Sequence, residues 1–136
     1  MNNIEKTLSI IKPDAVERNL DNEIKEIFKS KGFKISKEKK ILIEKSEAEK
    51  FYKVHEAKPF YNDLCTYLSS GPIVVMILEK NNAVIDNRKL MGATNPKEAE
   101  EGTIRKKFGI SIDKNSVHGS DSVENAKIEI DFFFKD

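Results

Sequence analysis

The sequence is poor in the features that mark secreted and membrane proteins. It contains a single cysteine, Cys65, so an intramolecular disulfide is excluded and a reducing compartment fits. Its longest apolar run, residues 72–78, is far too short to cross a bilayer. Residues 1–6 carry no apolar leader segment. We therefore expect a cytoplasmic protein with no membrane partner.

The chain also has no large excess of positive or negative charge. Its 24 lysines and arginines face 23 aspartates and glutamates, which leaves a formal net charge of +1. Such a balance provides no general attraction for nucleic acid, and the Lys/Arg-Gly-Phe-x-Phe strand of RNA-binding sheets is absent. We expect no specific nucleic-acid partner. An α+β nucleic-acid-binding module remains an alternative that a salt-dependent DNA affinity would support.

Several catalytic and metal-binding motifs are missing as well. Residues 102–107 lack the spacing of a phosphate-binding Gly-rich loop. Residues 119–122 do not form the Gly-x-Ser-x-Gly elbow of hydrolases. With two histidines far apart and one cysteine, no zinc site of ordinary spacing can be assembled. We expect no metal ligated by protein side chains.

The 136 residues fit one domain, 1–136, with a single self-sufficient core. Residues 6–12 form a β-branched and apolar segment that predicts a buried central strand with Lys12 at its carboxyl end. Residues 73–78 are continuously apolar, which favours a strand covered on both faces. Residues 33–43 alternate but carry a lysine cluster, which is typical of an edge strand.

Helices are predicted between these strands from apolar spacing and capping residues. The predicted starts are Asp21, Ser46, Phe60, Asn81, Asn95 and Asp121. Gly32 is expected just after the end of the first helix, and Glu49 and Glu124 are expected to be the capping-box partners of Ser46 and Asp121. Asn95 is expected to cap a turn that has Pro96 at its first position. The order of elements lacks the regular alternation of a doubly wound sheet. We therefore predict an α+β fold.

The two histidines have different surroundings. His55 lies in an amphipathic helical pattern, whereas His118 stands between a possible short strand and a helix start. A neutral imidazole is a competent nucleophile if another group fixes the ring and stabilises the cation formed on attack. Glu129 follows Ser122 at i+7 on one helix face and can point towards His118. A surface histidine beside a solvated glutamate is the alternative interpretation.

Three cationic residues stand beside structural breaks: Lys12, Arg88 and Arg105. A phosphate-handling site needs such side chains, although each could equally be a solvated surface charge. Taken from residue types and spacing alone, the sequence indicates an anion site with an activatable histidine.

One segment resembles a known signature. Residues 115–122, Asn-Ser-Val-His-Gly-Ser-Asp-Ser, closely resemble the Asn-x-x-His-Gly-Ser-Asp-Ser active-site signature of nucleoside diphosphate kinases. Further matching segments follow in the right order over nearly the whole chain: residues 9–15, 58–61, 70–72, 91–96 and 102–105. The resemblance implies a ferredoxin-like fold, with a four-stranded antiparallel sheet covered by helices.

The same resemblance implies roles for individual residues. His118 is expected to be phosphorylated on Nδ1, Glu129 to hold the other ring nitrogen, Ser120 to support the ring's surroundings and Tyr52 to line the site. The nucleotide-binding set is expected to be Lys12 for phosphate and ribose, Arg88, Thr94 and Arg105 for phosphates, Asn115 for the sugar, and Phe60 with Ile112 for the base.

The resemblance further implies a reaction and its partners. We expect the γ-phosphate of a nucleoside triphosphate to pass to a nucleoside diphosphate by ping-pong kinetics, with Mg²⁺ bridging the nucleotide's own phosphates. Stacking on the base rather than hydrogen bonding to its edge implies broad base and sugar specificity. Family members form tetramers or hexamers, and we expect a hexamer, with a tetramer as the alternative.

A non-catalytic binding module that keeps the fold is the remaining alternative, because a fold alone never fixes activity. An inactive homologue is expected to have lost His118, Lys12 or one of the arginines. This chain keeps all of them.

Overall fold

The structure, a computed structural model, describes residues 4–112 and 114–134. These residues contain a four-stranded sheet in the order β2-β3-β1-β4, and every neighbouring pair is antiparallel. The strands are β1, Ile4–Ile11; β2, Lys34–Ile41; β3, Ile73–Asn81; and β4, Val117–Gly119. The predicted four-stranded antiparallel sheet is therefore confirmed.

The two central strands, β1 and β3, are the most deeply buried strands of the sheet. In β3 the side chains of residues 73–78 are all buried, and residues 73–76 alternate between two apolar clusters on opposite faces of the sheet. β1 lies between β3 and β4, so its last five residues are buried on both faces. Both central strands were predicted, because a short β-branched and apolar segment without charged residues fits the inside of a covered sheet.

β2 is an edge strand, as its lysines predicted. It is mostly exposed, and its register against β3 shifts between Ile35 and Lys37. The irregularity and the lysine side chains both oppose pairing with a further strand. The strand is one residue shorter at its start and two at its end than the predicted segment 33–43.

Helices cover both faces of this sheet. They are α1, Pro13–Glu17; α2, Asp21–Ser30; α3, Lys45–Phe51; α4, Tyr61–Leu68; α5, Ala83–Met91; α6, Ile104–Phe108; and α7, Val123–Phe133, with 3₁₀ turns at Lys53–His55 and Pro96–Glu98. The predicted start at Asp21 and the predicted cap by Asn95, whose Oδ1 accepts from the Lys97 N–H at 3.0 Å, are confirmed.

Two of the predicted caps were wrong. Glu44 precedes α3, and its backbone N–H donates to the Glu47 carboxylate at 3.3 Å, so Ser46 lies inside the helix. At α7, Ser122 caps by accepting from the Asn125 N–H at 3.1 Å. Asp121 instead accepts from the Asn125 side chain. Sequences with several adjacent capping residues allow more than one helix start, and the surrounding chain decides among them.

Three further boundaries differ from the prediction. Pro13 ends β1 as expected, but it also occupies the first turn of α1, a helix that the sequence analysis missed. Asn81 belongs to β3, and α5 begins two residues later, after Asn82 turns the chain at a φ of +58°. His55 lies in a 3₁₀ turn beyond the end of α3 rather than in a helix.

The segment that contains His118 adds β4 to the sheet as the edge strand beside β1. β4 pairs with β1 so that His118 lies opposite Ile10. Ile10 belongs to the apolar cluster that α3, α4 and α7 cover, and this cluster also holds Tyr52 and Phe133. The imidazole of His118 is therefore presented on the face covered by α3 and α7. None of the described helices combines the length and the apolar character needed to cross a membrane.

Candidate active site

The His118 side chain is held by a carboxylate. Its Nε2 lies 3.0 Å from Oε1 of Glu129 on α7, and the two side chains are 20% and 18% exposed. An ionised carboxylate only accepts hydrogen bonds, so Nε2 carries the proton and donates it. The other nitrogen, Nδ1, keeps its lone pair in this tautomer. The arrangement orients a ring whose Nδ1 is the nucleophilic atom.

Ser120 fixes the same carboxylate. Its hydroxyl donates to Oε1 of Glu129 at 2.8 Å and accepts from the Leu8 N–H of β1 at 3.2 Å, and the residue is fully buried. The carboxylate thus has two donors on one oxygen, one from the ring and one from the sheet. Such outer hydrogen bonds fix the orientation of a functional group.

Two aromatic rings from the end of α3 flank the imidazole. Phe51 meets it edge-on at 5.3 Å between centroids, and Tyr52 does so at 6.4 Å. Tyr52 is buried, and this burial, with the nearby Glu129 carboxylate, raises the pKa of its phenol well above the ordinary value. Its hydroxyl therefore remains protonated. Phe51 was not predicted, because nothing in the sequence distinguishes it from an ordinary core aromatic.

A single amide joins three of the predicted nucleotide-binding residues. The Asn115 side chain accepts from the Lys12 ammonium at 3.0 Å and donates to the backbone carbonyls of Thr94 and Ile112 at 3.0 and 3.1 Å. Lys12 and Asn115 are buried. The amide therefore fixes the end of β1 against the loops on either side of α6.

Arg105 is a buried cation bound to neutral groups. Its guanidinium donates to the carbonyls of Gly92 and Val117 at 3.0 and 2.9 Å, and its Nε has no hydrogen-bond partner among the described residues. Burial, followed by the charge of Arg88, lowers the Arg105 pKa to about 10. The group is thus still charged at neutral pH. An anion at this point would relieve both the desolvation and the repulsion.

Arg88, Thr94 and Arg105 line one open cleft of about 720 Å³ between α5 and the loop that precedes α6. The structure therefore brings the three predicted phosphate-binding residues together. Among residues 4–112 and 114–134, no three His, Cys, Asp or Glu side chains are grouped to hold a metal ion.

The residues predicted to sandwich the base are both exposed. Phe60 is 45% and Ile112 55% exposed, and Phe60 lies beside His55 with 6.0 Å between ring centroids. Burial, and then the charge of Lys58, lowers the His55 pKa below its ordinary value. The position of His55 between Tyr52 and Phe60 was missed, because the sequence suggested a helical face rather than a turn.

The backbone of the His118 segment is tightly constrained. Ser116 adopts a φ of +75°, which costs a non-glycine residue about 1–2 kcal/mol. Gly119 does not adopt a positive φ, but a Cβ atom at this position would collide with the side chains of Asn87 and Met91 on α5. Close packing against α5 therefore requires glycine after the histidine.

Comparisons with known proteins agree with this geometry. The family model described as nucleoside diphosphate kinase matches residues 5–136. The chain is 59% identical over 132 residues to a nucleoside diphosphate kinase of Campylobacter jejuni, covering 97% of this chain and 96% of that one. It is 58% identical over 131 residues to that of Geobacter sulfurreducens, with 96% of each covered.

Solved structures agree as well. The nucleoside diphosphate kinase of Aquifex aeolicus superposes with a TM-score of 0.95 at 38% identity, covering 97% of this chain and 96% of that chain. The apo enzyme of Encephalitozoon cuniculi superposes with a TM-score of 0.93 at 38% identity, covering 97% of this chain and 90% of that chain. The sequence signature, the sheet topology and these matches together show that the chain belongs to the nucleoside diphosphate kinase family.

Proposed function

We propose that the protein is a nucleoside diphosphate kinase that transfers the γ-phosphate of a nucleoside triphosphate, mainly ATP, to a nucleoside diphosphate through phosphorylated His118. The observation that carries the proposal is the 3.0 Å contact between Nε2 of His118 and Glu129, because it leaves Nδ1 as the nucleophile. The proposed catalytic set is completed by Ser120, which orients Glu129, by Tyr52, which packs on the ring, and by Lys12, whose ammonium binds Asn115.

The reaction follows from this geometry in two balanced steps. The Nδ1 lone pair attacks the γ-phosphorus, the bond from phosphorus to the β,γ-bridging oxygen breaks, and the nucleoside diphosphate leaves with that electron pair. The imidazolium formed keeps its Nε2 proton, and the Glu129 carboxylate offsets its charge. A β-phosphate oxygen of the acceptor then attacks the phosphorus, and the N–P electron pair returns to Nδ1.

Cationic residues are proposed to hold the phosphates. Lys12, Arg88 and Arg105 would neutralise the oxygens of the transferred group, with Thr94 as a hydrogen-bonding partner. Arg105 gives the strongest support, since its buried guanidinium is bound only to neutral carbonyls among the described residues. Charge on the transferred phosphoryl is stabilised best by such pre-placed donors.

The nucleoside is proposed to bind at the mouth of the site. Phe60 and Ile112 would hold the base between them, and Lys12 and Asn115 would contact the sugar hydroxyls. These two exposed apolar side chains provide contact area for the faces of the base and make no hydrogen bonds to its edge. We therefore propose that purine and pyrimidine nucleotides, with ribose or deoxyribose, are all substrates.

The site also fits Mg²⁺ as part of the nucleotide. The groups proposed to face the phosphates are cationic, and the described residues contain no cluster of three metal-ligating side chains. We propose that the ion is held by phosphate oxygens and water, where it supplies charge neutralisation. Lys12, Arg88 and Arg105 would then bind the phosphate oxygens that the ion does not.

The labelling test uses the wild-type protein and [γ-³²P]ATP with Mg²⁺. We expect a phosphoprotein with one phosphate per chain that is labile in acid, as a phosphoramidate is, and stable in base. After removal of free nucleotide, added GDP should receive the label as GTP. A folded protein that binds ADP but takes up no label would overturn the proposal and leave the non-catalytic binding module.

We further propose that residues 1–136 form one domain that assembles as a hexamer, or alternatively a tetramer, in the cytoplasm. Both apolar clusters pack on the same sheet, which supports a single domain. Support for assembly comes from the exposed apolar residues, which include Ile4, Leu42 and Ile128 at 54%, 67% and 67%. Native mass spectrometry distinguishes six copies from four, and a monomer would contradict the assembly.

A further inference from the structure

A buried carboxylate, that of Asp14, is hydrogen-bonded to the chain segment that precedes β4. Asp14, on α1, is 4% exposed and accepts three side-chain hydrogen bonds. Its Oδ2 accepts from the Ser116 hydroxyl at 2.9 Å and from the Arg18 guanidinium at 3.1 Å, and its Oδ1 accepts from the Tyr67 phenol. The same phenol oxygen accepts the Asp14 N–H at 2.8 Å. One carboxylate thus joins α1, α4 and the chain just before β4.

This cluster connects the segments that carry the proposed site. The Lys12 N–H donates to the Ser116 carbonyl at 2.8 Å, so the residue before α1 is bonded to the residue before β4. Ser116 stands between Asn115, which binds the Lys12 ammonium, and the strand of His118. Its left-handed backbone turns the chain at this point. The Asp14 bond to its hydroxyl favours that turn.

The same cluster is also hydrogen-bonded to α6. The Arg18 guanidinium that contacts Asp14 also donates to the Phe108 carbonyl at 2.6 Å, at the end of the helix that carries Arg105. Lys12, the His118 segment and α6 are therefore all bonded to one network. The family resemblance gave no role in catalysis or binding to Asp14, Arg18, Tyr67 or Ser116, whose side chains form the network.

We propose that Asp14 is a positioning residue for phosphoryl transfer. It holds the Lys12 and Asn115–His118 segments at a fixed separation, with Tyr67 and Arg18 orienting its carboxylate. The proposal rests on the roles proposed above for Lys12, Asn115 and His118. Misplacement of a nucleophile or a cation by an ångström is enough to slow a reaction strongly, so a buried bond that sets their separation affects the rate.

A carboxylate suits this position for a physical reason. The Ser116 hydroxyl, the Arg18 guanidinium and the Tyr67 phenol all donate, so the group between them must accept at both oxygens. Burial and the bond to Asp14 raise the Tyr67 pKa, which keeps the phenol a donor. An amide in place of Asp14 offers one acceptor oxygen and no charge, so the hydroxyl that faces its NH₂ group would have to accept instead of donate. Asp14→Asn therefore changes the bonding with little change in volume.

The experiment compares Asp14→Asn with Glu38→Gln, a matched change that breaks the Lys25–Glu38 surface pair, 2.6 Å long and remote from the site. Rapid-quench labelling with saturating ATP and Mg²⁺ measures the rate of His118 phosphorylation. We expect Asp14→Asn to slow it about 10- to 100-fold with the nucleotide KM changed less than about 3-fold. Glu38→Gln should stay within about 2-fold of wild type.

A double-mutant cycle with Asn115→Ala separates positioning from a general structural role. If Asp14 acts through the Lys12–Asn115 segment, the two losses in rate should be far less than multiplicative. Circular dichroism at the assay temperature confirms that each variant is folded. Should Asp14→Asn fail to fold, Tyr67→Phe takes its place in the same cycle, with an expected loss of about 3- to 10-fold, because Ser116 and Arg18 still bind the carboxylate.

Two results would overturn the inference. One is a folded Asp14 or Tyr67 variant that is phosphorylated as quickly as wild type. The other is a slow variant whose loss multiplies fully with that of Asn115→Ala, because such a residue acts independently of the site segment. Lack of label in the wild-type protein would contradict the proposed function itself. The wild-type arm therefore keeps the two failures distinct.

Discussion

The two histidines of this chain lie on neighbouring parts of one surface but have opposite surroundings. His118 stands on a strand, and a carboxylate that is itself hydrogen-bonded to the sheet holds its Nε2. His55 lies in a 3₁₀ turn between Tyr52 and Phe60, and its Nδ1 is buried without a hydrogen-bond partner among the described residues. The same side chain is oriented in one place and only packed in the other.

In the proposed mechanism, this difference makes the hydrogen-bonding partner, rather than the imidazole itself, the feature that selects the nucleophile. A ring that becomes positively charged during attack needs a fixed anion, which His118 has in Glu129. Burial is the main cause that lowers the pKa of His55, and the charge of Lys58 lowers it further, so the cationic form of this ring is disfavoured. The predictions below test this contrast, from the largest expected effect to the smallest.

Replacement of His118 by glutamine should abolish covalent labelling, with a loss of more than about 10³-fold. Glutamine cannot form a phosphoramidate through a ring nitrogen, and no phosphate should move to His55, because that ring lacks a fixed carboxylate. Mass spectrometry of the labelled protein locates the phosphate. A phosphorylated His55 in this variant would break the comparison.

Replacement of Glu129 by glutamine should slow labelling about 100-fold. The amide oxygen can still accept from Nε2, but it carries no charge to offset that of the phosphorylated ring. Pre-steady-state labelling at saturating ATP measures the change. Equal rates for the two proteins would show that orientation alone, without charge, activates His118.

Replacement of Ser120 by alanine should slow labelling about 10-fold, because Glu129 loses its second donor. It should also lower the free energy of unfolding by about 1–3 kcal/mol, since the buried Leu8 N–H loses its acceptor. Urea unfolding measures the second effect. Ser30→Ala is the matched control, because it removes an exposed hydroxyl that donates to the Ile27 carbonyl and should leave both quantities nearly unchanged.

Replacement of His55 by glutamine should have the smallest effect. We expect unchanged labelling stoichiometry and a rate within about 3-fold of wild type, a difference of less than about 1 kcal/mol. The same rapid-quench assay applies. A loss as large as that from Glu129→Gln would show that His55 takes part in the transfer step and would remove the contrast on which these predictions rest.

Much of the fold could be predicted because its signals are local. β3 begins with a continuous apolar run, β1 ends in a β-branched and apolar segment, and the lysines of β2 mark an edge. The family and the four-stranded antiparallel sheet were confirmed. The cap at Asp121 was wrong because two capping residues, Asp121 and Ser122, stand side by side, and the cap at Ser46 was wrong because Glu44, a residue type that rarely caps, takes that role with Glu47. In such stretches the local sequence permits two starts, and tertiary packing selects one.

The site could be predicted only in part, for a related reason. The signature around His118 identifies candidates but carries no distances, and the roles of those candidates stay predictions. The contacts that were missed join residues far apart in sequence, as Asp14 does with Tyr67 and Ser116, 53 and 102 positions away. Such pairs have no periodicity and no motif. Phe51 was missed because one aromatic residue in a helix predicts packing and nothing more.

The glycine that follows His118 illustrates how a helix can limit a reaction at a distance. α5 lies so near β4 that even a methyl group on Gly119 would meet the side chain of Asn87, and the next residue of that helix is Arg88. Adding the methyl group would therefore displace the buried Asn87 amide and the end of the Met91 side chain, both on the helix that carries Arg88. The close approach of the His118 strand to the helix that carries Arg88 thus depends on the absence of one carbon atom.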